Sequence, residues 1–279
     1  MQSKMRMGEK NMDLSNKAML HVKNNGVEYL QFRKLLEFEN VVNCYTLSTN
    51  NVDFRRNFPE EHTDILQKSY DKICTALNID EKTIVRPKQS HTDCIKIVEN
   101  TPAKFEDVDG LVTDKPNINL MLTFADCTPI LLYDPINKAI ANVHSGWRGT
   151  IQKIGPKAVE KMVKEFGTNP KNVIACIGPS IAKCHFEVEE DVKNIFEKTF
   201  SYLNRNCDII ERQKKLVDGK VKYHIDTNLI NRLILQEVGV LPANIIESGI
   251  CTVCNSNIIH SYRANGKKSG RNVAILGLK

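Results

Sequence analysis

Hydrophobic positions along the chain follow two spacings, one typical of strands and one typical of helices. Short apolar and β-branched runs predict strands at 41–47, 120–124, 130–133, 139–143 and 173–177. We expect the folded chain to open with the first of these runs. Helical spacing with suitable start and stop residues predicts helices from Glu60 to Leu77, from Gly155 to Phe166, from near Val188, and from Asp226 towards Gly239.

Strands that alternate with helices predict a mixed fold in which helices shield the sheets. No repeat, low-complexity tract or Pro/Gly/Ser-rich linker interrupts the pattern. We therefore expect a single domain of α+β class over residues 17–279. The polar residues 1–16 precede it, and we expect them to be flexible.

Composition narrows the class of protein. The 279 residues are 41% hydrophobic and 26% charged, which is typical of a globular chain. The net charge of +6 is dispersed along the sequence, which indicates a mild preference for anions and no nucleic-acid partner. No apolar run has the length of a membrane span, and the N-terminal residues lack the apolar region of a signal peptide. We expect a cytoplasmic monomer that binds no membrane, with a dimer as the alternative.

Three residues at strand ends or sharp loops are candidates for chemistry. His91 follows a polar loop, and Cys127 lies between a buried strand and a proline. His144 ends the strand 139–143, just before a loop with two glycines. Two imidazoles and a thiolate are suitable ligands for Zn²⁺, and three protein ligands leave a fourth position for water or substrate. Their spacing matches no local metal motif, so ordinary loop and core roles are the alternative.

Several segments resemble the YfiH-like family, formerly labelled polyphenol oxidase or laccase-domain proteins and also called peptidoglycan editing factors. They occur in the family's order between residues 86 and 271. The matching segments are Gln89-Ser90-His91, Asp109–Thr113, Ala125–Ile130, Val143–Gly149, Ile177–Ile181, Cys251-Thr252, and Ser261-Tyr262-Arg263 through Gly270-Arg271.

The resemblance implies a four-layer α/β/β/α sandwich of mixed sheets flanked by helices, with the site in a surface cleft. It implies that His91, Cys127 and His144 are zinc ligands. It also implies phosphorolysis of adenosine, inosine, guanosine and methylthioadenosine, with adenosine deamination as a side activity. We therefore expect a Zn²⁺-dependent purine nucleoside phosphorylase that binds a purine nucleoside and phosphate. Copper is expected as a substitute metal, because Cu²⁺ has the higher affinity for such ligands.

Phosphorolysis requires a bound phosphate and stabilisation of a ribosyl centre with oxocarbenium character. Arginine side chains suit phosphate because their donors match its oxygens in pairs. Within the matching segments, the residues expected to bind substrate are Gln89, Arg148, Arg263 and Arg271.

Deamination requires an activated water and a nearby general acid or base. We expect Cys127 and His144 to act at the catalytic centre, together with Asp126, the carboxylate nearest to them in sequence. For Asp126 the alternative is a structural role as a hydrogen-bond acceptor, because adjacent residues of an extended segment point in opposite directions.

Other enzyme classes stay open. A copper-dependent polyphenol oxidase is the older family label, although the chain has seven histidines and no His-x-His pair. Alternatively, Cys127 acts as a nucleophile with a histidine base, in an amidase or hydrolase that edits peptidoglycan precursors. A cytidine-deaminase signature is only weakly matched by His185-Phe186-Glu187 and the later C-x-x-C pair, because Ile250 replaces the expected proline.

Cys251 and Cys254 form that C-x-x-C pair, which is the spacing of half a zinc ribbon. The sequence contains no second such pair, so loop or core thiols are the favoured interpretation and their role is left open. A non-enzymatic protein stabilised by zinc requires a closed site with four ligands. The sequence offers no obvious fourth ligand for His91, Cys127 and His144, which disfavours that class.

Overall fold

The computed structural model describes residues 12–56, 64–203, 208–212 and 221–279. Fifteen strands lie in this part of the chain: β1 (Met19–Asn24), β2 (Val27–Phe32), β3 (Val41–Thr46), β4 (Ile84–Val85), β5 (Ile95–Ile97), β6 (Gly110–Thr113), β7 (Ile118–Phe124), β8 (Thr128–Asp134), β9 (Ala139–Ser145), β10 (Ile174–Ile177), β11 (Glu187–Val188), β12 (Ile210–Arg212), β13 (Tyr223–Ile225), β14 (Ile245–Glu247) and β15 (Asn272–Leu278). The α-helices described are α1 (Asp64–Leu77), α2 (Trp147–Ile151), α3 (Ile154–Phe166), α4 (Glu190–Phe200), α5 (Thr227–Glu237) and α6 (Tyr262–Asn265).

Two six-stranded sheets form the centre of the protein. The first has the order β1-β2-β3-β15-β7-β4 and the second the order β14-β10-β8-β9-β6-β5. Both are mixed, because β4 pairs with β7, β14 with β10 and β5 with β6 in parallel, whereas the remaining pairs are antiparallel. A small third sheet has the order β11-β13-β12.

The side-chain alternation of the central strands produces the layers. In β7, Leu120 and Leu122 pack between the two sheets, whereas Met121 packs in the cluster under α1. In β8, Leu131 faces the first sheet and Leu132 faces α3. Both faces of these strands are therefore buried against other elements, which explains why their sequences are continuous apolar runs. The four layers are α1, the first sheet, the second sheet, and α3 with α5, which confirms the predicted sandwich of mixed sheets and flanking helices.

The predicted strands and helices are present within the described residues, with shifts of a few residues at their ends. The predicted helix start at Pro59 and Glu60 lies outside the described residues, and α1 is described from Asp64. The expectation that the folded chain opens at 41–47 is wrong, because the hairpin of β1 and β2 precedes it. Its turn is Asn25-Gly26, with positive φ of 47° and 73°, which is a recognised hairpin signal.

The N-terminal segment predicted to be flexible lies mostly outside the described residues, which begin at position 12. Within its described part, the Asn16 side-chain amide donates to the Ser248 carbonyl at 2.9 Å. The single domain over 17–279 stays a prediction. No helix in the described ranges is both long and apolar enough to cross a membrane.

The connection between β7 and β8 brings functional residues to one end of the space between the sheets. These strands belong to different sheets, and only residues 125–127 join them. On the neighbouring β9, the Asn142 side-chain amide donates to the carbonyls of Leu120 and Ala274 in the opposite sheet, each at 2.9 Å. His144 lies two residues further along β9 and so faces the same side, beside the β7–β8 connection.

Candidate metal centre and its cavity

His91, Cys127 and His144 come together at this end of the two sheets. Each offers one ligand atom, and the three atoms all lie within 4.8 Å of one another. The two imidazole rings meet edge to face with their centroids 4.9 Å apart. His144 is buried, Cys127 is half-buried and His91 is exposed, so the cluster lies at the surface end of the core. The predicted ligand set therefore converges in space.

Asp109, just before β6, holds both histidines in place. Its Oδ1 accepts a hydrogen bond from His144 Nδ1 at 2.7 Å, which leaves Nε2 as the free ligand atom of that ring. Its Oδ2 accepts from the backbone N–H groups of Ser90 and Thr92, at 3.2 and 2.7 Å, on either side of His91. Asp109 belongs to one of the matching segments, but no role was predicted for it. It lies 35 residues from His144 in sequence, and no sequence motif connects the two positions.

The electrostatics of the cluster favour a thiolate. Burial raises the pKa of Cys127, but the His144 and His91 imidazoles outweigh it and lower the pKa to about 6. Burial lowers the pKa of His144, whereas the Cys127 charge and Asp109 raise it to about 9. The pKa of Asp109 falls to about 2, since the hydrogen bond and charge of His144 outweigh its burial. The three groups titrate together, and the thiolate is the form of cysteine that binds a metal.

Backbone geometry at the cluster is unusual. His91 has a φ of 64° and Asp126, next to Cys127, has a φ of 86°, both in the left-handed region that disfavours side chains. Gly146 passes so close that an added Cβ would lie 3.1 Å from His91 Cδ2 and 3.2 Å from Cys127 Sγ. A larger residue at this position would push the ligands apart.

The cluster opens into a cavity of about 510 Å³, which is within the usual range for a small-molecule site. Its lining includes three aromatic side chains, those of Trp147, Phe186 and Tyr262. Tyr262 is half exposed at the cavity, so its ring is accessible to a ligand. Neither Phe186 nor Tyr262 was predicted as a site residue, because Phe186, just before β11, and Tyr262, at the start of α6, are distant in sequence from the three ligands.

Three of the four residues predicted to bind substrate line this cavity, namely Gln89, Arg263 and Arg271. Arg148 does not, because α2 carries it to the exposed side, where its guanidinium lies 4.3 Å from the Trp147 ring centroid. Its role in substrate binding stays a prediction. The Gln89 amide pairs with the Thr123 backbone, accepting from N–H at 2.8 Å and donating to the carbonyl at 3.0 Å.

Asp126 also lines the cavity, but both of its carboxylate oxygens are engaged. Oδ1 accepts from Thr252 Oγ1 and Oδ2 accepts from the Arg263 backbone N–H, each at 2.6 Å. This is the structural acceptor role that the sequence analysis gave as the alternative. A catalytic role for Asp126 stays a prediction.

A second, strongly basic cavity adjoins the first and shares Gln89, Thr123 and Arg271 with it. Its volume is about 430 Å³. The described residues that line it include no carboxylate, and its cations are Arg55, Arg56, Arg86, Lys88, Lys267 and Arg271. Burial and the neighbouring Arg86 charge lower the pKa of Arg56. An anion in this cavity would relieve that repulsion. This basic cavity was not predicted, because the residues that line it come from separate segments of the sequence.

Comparison with known proteins places the chain in a family. Residues 46–279 match the family described as multi-copper polyphenol oxidoreductase laccase, and the chain belongs to it. A Bacillus subtilis protein named purine nucleoside phosphorylase YlmD is 30% identical over 221 residues, covering 76% of this chain and 77% of that protein. A protein named adenosine deaminase RL5, from an unknown prokaryotic organism, is 35% identical over 208 residues, covering 71% and 76%.

The fold is also shared with solved structures. The crystal structure of the hypothetical protein YfiH of Bacillus licheniformis has a TM-score of 0.80 and 25% sequence identity to this chain. The match covers 90% of this chain and 96% of that one. The predicted resemblance to the YfiH-like family is therefore confirmed, and the names of the relatives support an enzyme that acts on purine nucleosides at the level of the family.

Proposed function

We propose that the protein is a Zn²⁺-dependent purine nucleoside phosphorylase with adenosine deaminase side activity. The observation that carries the proposal is the arrangement of the site: a three-ligand cluster opens into a cavity lined by aromatic rings, with a basic cavity beside it. A nucleoside and phosphate are the pair of substrates that these surroundings suit. The names of the two relatives support the same substrate class.

Each part of the substrate pair has a matching part of the site. The purine stacks on an aromatic ring of the cavity lining, and an aromatic contact with a base is typically worth about 1–3 kcal/mol. Phosphate occupies the basic cavity, where arginine side chains donate paired hydrogen bonds to its oxygens. Arg271 lines both cavities, so it is placed to contact the phosphate at the point where the two substrates meet.

In the proposed reaction, a phosphate oxygen forms a bond to ribose C1′ while the bond from C1′ to the purine nitrogen breaks. The base leaves with the electron pair and takes up a proton that the phosphate gives up. Holding both substrates in this geometry supplies much of the rate acceleration, because it turns a bimolecular step into an intramolecular one. A Zn²⁺ ion held by His91, Cys127 and His144 would supply Lewis-acid chemistry.

Adenosine deamination fits the same cavity as a side reaction. It exchanges the purine amino group for an oxygen from water and releases ammonia, so it needs the purine site but no phosphate. The relative named as an adenosine deaminase supports this second reaction. Omission of phosphate therefore separates the two activities.

We assign zinc rather than copper to the cluster from its donor set. Copper electron-transfer sites with two histidines and a cysteine add a weak axial methionine, glutamine or backbone oxygen. The described side chains that line the cavity offer no such axial ligand, because no methionine is among them and the amide of the one glutamine, Gln89, is paired with Thr123. An open fourth position with three protein ligands is the usual arrangement of a catalytic zinc site.

A thiol hydrolase is the second candidate, because Cys127, His144 and Asp109 are ordered like the nucleophile, base and orienting acid of a catalytic triad. His91 separates the two candidates. A triad needs one imidazole beside the thiol, whereas a metal site uses both. Replacement of His91 by alanine would therefore spare a thiol hydrolase and would remove the metal from a zinc enzyme.

The test incubates the purified full chain with adenosine or inosine, with and without phosphate, and separates the products by chromatography. We expect free base and ribose 1-phosphate only when phosphate is present, and inosine from adenosine without it. Cys127→Ala should lose both the three-ligand zinc and phosphorolysis. Cys94→Ser, which changes a partly buried thiol outside the cluster, should retain both.

Base release that is independent of phosphate would contradict the proposal. So would wild-type protein that binds metal and leaves every purine nucleoside unchanged. Activity that survives in His91→Ala but not in Cys127→Ala would favour the thiol hydrolase instead.

A further inference from the structure

A second cluster of metal-ligating side chains lies outside the cavity, among Cys184, His185, Cys251 and Cys254. All four ligand atoms lie within 4.8 Å of one another. The first two residues come from the loop that follows β10, and the other two come from the loop that follows β14. The sequence contains no second C-x-x-C pair that could complete a zinc site. In the structure, the consecutive residues Cys184 and His185 provide the two further ligand atoms.

Three of the distances between ligand atoms match the edges of a tetrahedron around zinc, and the fourth, between His185 Nδ1 and Cys184 Sγ, is shorter than such an edge. Bonds of about 2.3 Å to sulfur and about 2.0–2.1 Å to nitrogen, at tetrahedral angles, give edges of about 3.8 Å between sulfurs and about 3.6 Å between sulfur and nitrogen. In the structure, Cys184 Sγ lies 3.8 Å from Cys254 Sγ. His185 Nδ1 lies 3.1, 3.6 and 3.5 Å from the sulfurs of Cys184, Cys251 and Cys254.

The surrounding backbone holds the loops of the cluster in place. Cys251 is buried, and its backbone carbonyl accepts a hydrogen bond from the Asn255 side-chain amide at 2.8 Å. The two loops are also joined by main-chain bonds, because the Thr252 N–H donates to the Ser180 carbonyl at 3.0 Å. The ligands are therefore held in place by a framework that does not depend on their side chains.

We propose that Cys184, His185, Cys251 and Cys254 bind a second Zn²⁺ ion in a closed, structural site. Three thiolates and one imidazole fill all four tetrahedral positions, so no position is left for water or substrate. This ion fastens the loop after β10 to the loop after β14, beside the main-chain hydrogen bonds that already join them. Its function is distinct from that of the three-ligand cluster and does not depend on the activity proposed above.

The second site lies behind one wall of the substrate cavity. Arg263 lines the cavity, and its guanidinium donates to the carbonyls of His185 and Glu187 at 2.7 and 3.1 Å. Thr252, inside the C-x-x-C pair, donates to Asp126, the neighbour of Cys127. The four-ligand site thus holds the loop that positions Arg263 and Phe186.

A disulfide between Cys184 and Cys254 is the competing outcome. Their sulfurs are 3.8 Å apart, whereas a disulfide bond is about 2.0 Å long. A disulfide between Cys184 and Cys254 would also not explain why the side chains of His185 and Cys251 point to the same place. Convergence of all four side chains on one point favours a metal.

The experiment counts zinc in protein purified without added metal and under reducing conditions. We expect about two zinc ions per wild-type chain, and about one in the double variant Cys184→Ser/Cys254→Ser. Cys127→Ala should also retain about one, and a combination of all three changes should retain none. Cys94→Ser is the matched control and should keep both ions. Cobalt(II) in Cys127→Ala should show the strong near-ultraviolet charge-transfer absorption of a site with three thiolates.

X-ray absorption of wild-type protein tests the proposal even if the double variant does not fold. One site with one sulfur and another with three give an average of about two sulfurs per zinc, whereas the three-ligand cluster alone gives about one. One zinc per chain with an average of one sulfur would overturn the proposal. A Cys184–Cys254 disulfide, found by mass spectrometry after alkylation of the unreduced protein, would overturn it as well.

Discussion

The two His/Cys clusters of this protein offer the same kinds of metal-ligand atom, but they differ in the number of those atoms and in their surroundings. The first has three ligands and opens into a cavity with aromatic and basic walls. The second has four ligands and lies at the junction of two loops, where the side chains close around one point. Ligand number and surroundings, rather than ligand type, therefore separate a site suited to catalysis from a site suited to stability.

The clusters also differ in how their ligands are supported. Side-chain chemistry supports the first, where Asp109 orients His144 and holds the His91 loop. Backbone hydrogen bonds between two loops support the second, where Ser180 pairs with Ile250 and Thr252 on either side of Cys251. A carboxylate behind a ligating histidine makes the ligand more basic and fixes its orientation, which matters most where the metal takes part in a reaction.

The largest effect is expected from Gly146→Ala, which changes only the first cluster. The added Cβ would lie 3.1 Å from His91 Cδ2 and 3.2 Å from Cys127 Sγ, so the ligands must move apart. At these distances both ligands must give by a few tenths of an ångström, and a displacement of about 1 Å at a catalytic centre can cost about a hundredfold in rate. We expect a loss of up to about a hundredfold in phosphorolysis, with zinc retained at the second site. Unchanged kinetics in a folded variant would contradict the crowding argument.

Asp109→Asn should weaken the first cluster without removing a ligand. Loss of a carboxylate behind a ligating histidine typically costs about 10–100-fold in metal affinity. We expect a decrease in that range for zinc at the first cluster, measured by competition with a chelator, and no change at the second. The exposed neighbour Asp107 provides the control, since Asp107→Asn should leave both affinities as they are. Equal weakening of both sites would show a general loss of structure.

Arg263→Lys should give the smallest effect, because it keeps the charge and removes only the paired donors that reach His185 and Glu187. We expect about a tenfold fall in kcat/KM for the nucleoside, mostly through KM, since this residue lines the cavity wall. Zinc content should stay at its wild-type value. A fall in kcat with KM unchanged would place Arg263 in the chemical step instead.

Much of the fold could be predicted from the local pattern of apolar and capping residues in the sequence. The central strands read as apolar runs because both of their faces are covered, and the helix α5 begins where Asp226 accepts from the Leu229 N–H at 2.9 Å. The hairpin at 19–32 was missed although Asn25-Gly26 is a turn signal. Its strands lie at the edge of the first sheet and mix polar with apolar residues, so their pattern is weaker than that of the central strands.

The candidate site was predictable only in part. His91, Cys127 and His144 lie at loop and strand ends, where sequence can point to them, but their convergence depends on how the two sheets stack. Asp109 and the four-ligand cluster depend on pairings between distant segments, such as the backbone bond from Thr252 to Ser180. No local spacing encodes those contacts, and only the folded chain brings them together.

The most direct test of the difference between the clusters is a paired measurement of phosphate-dependent inosine cleavage in Cys127→Ser and in Cys184→Ser/Cys254→Ser. The first variant should show no cleavage above background while it retains the second zinc. The second variant should lose that zinc and keep kcat within about threefold of wild type while KM rises, because its residues position Arg263 and Phe186 but do not themselves line the substrate cavity. Loss of turnover in the second variant with the first zinc still bound would contradict this account, as would full turnover in Cys127→Ser.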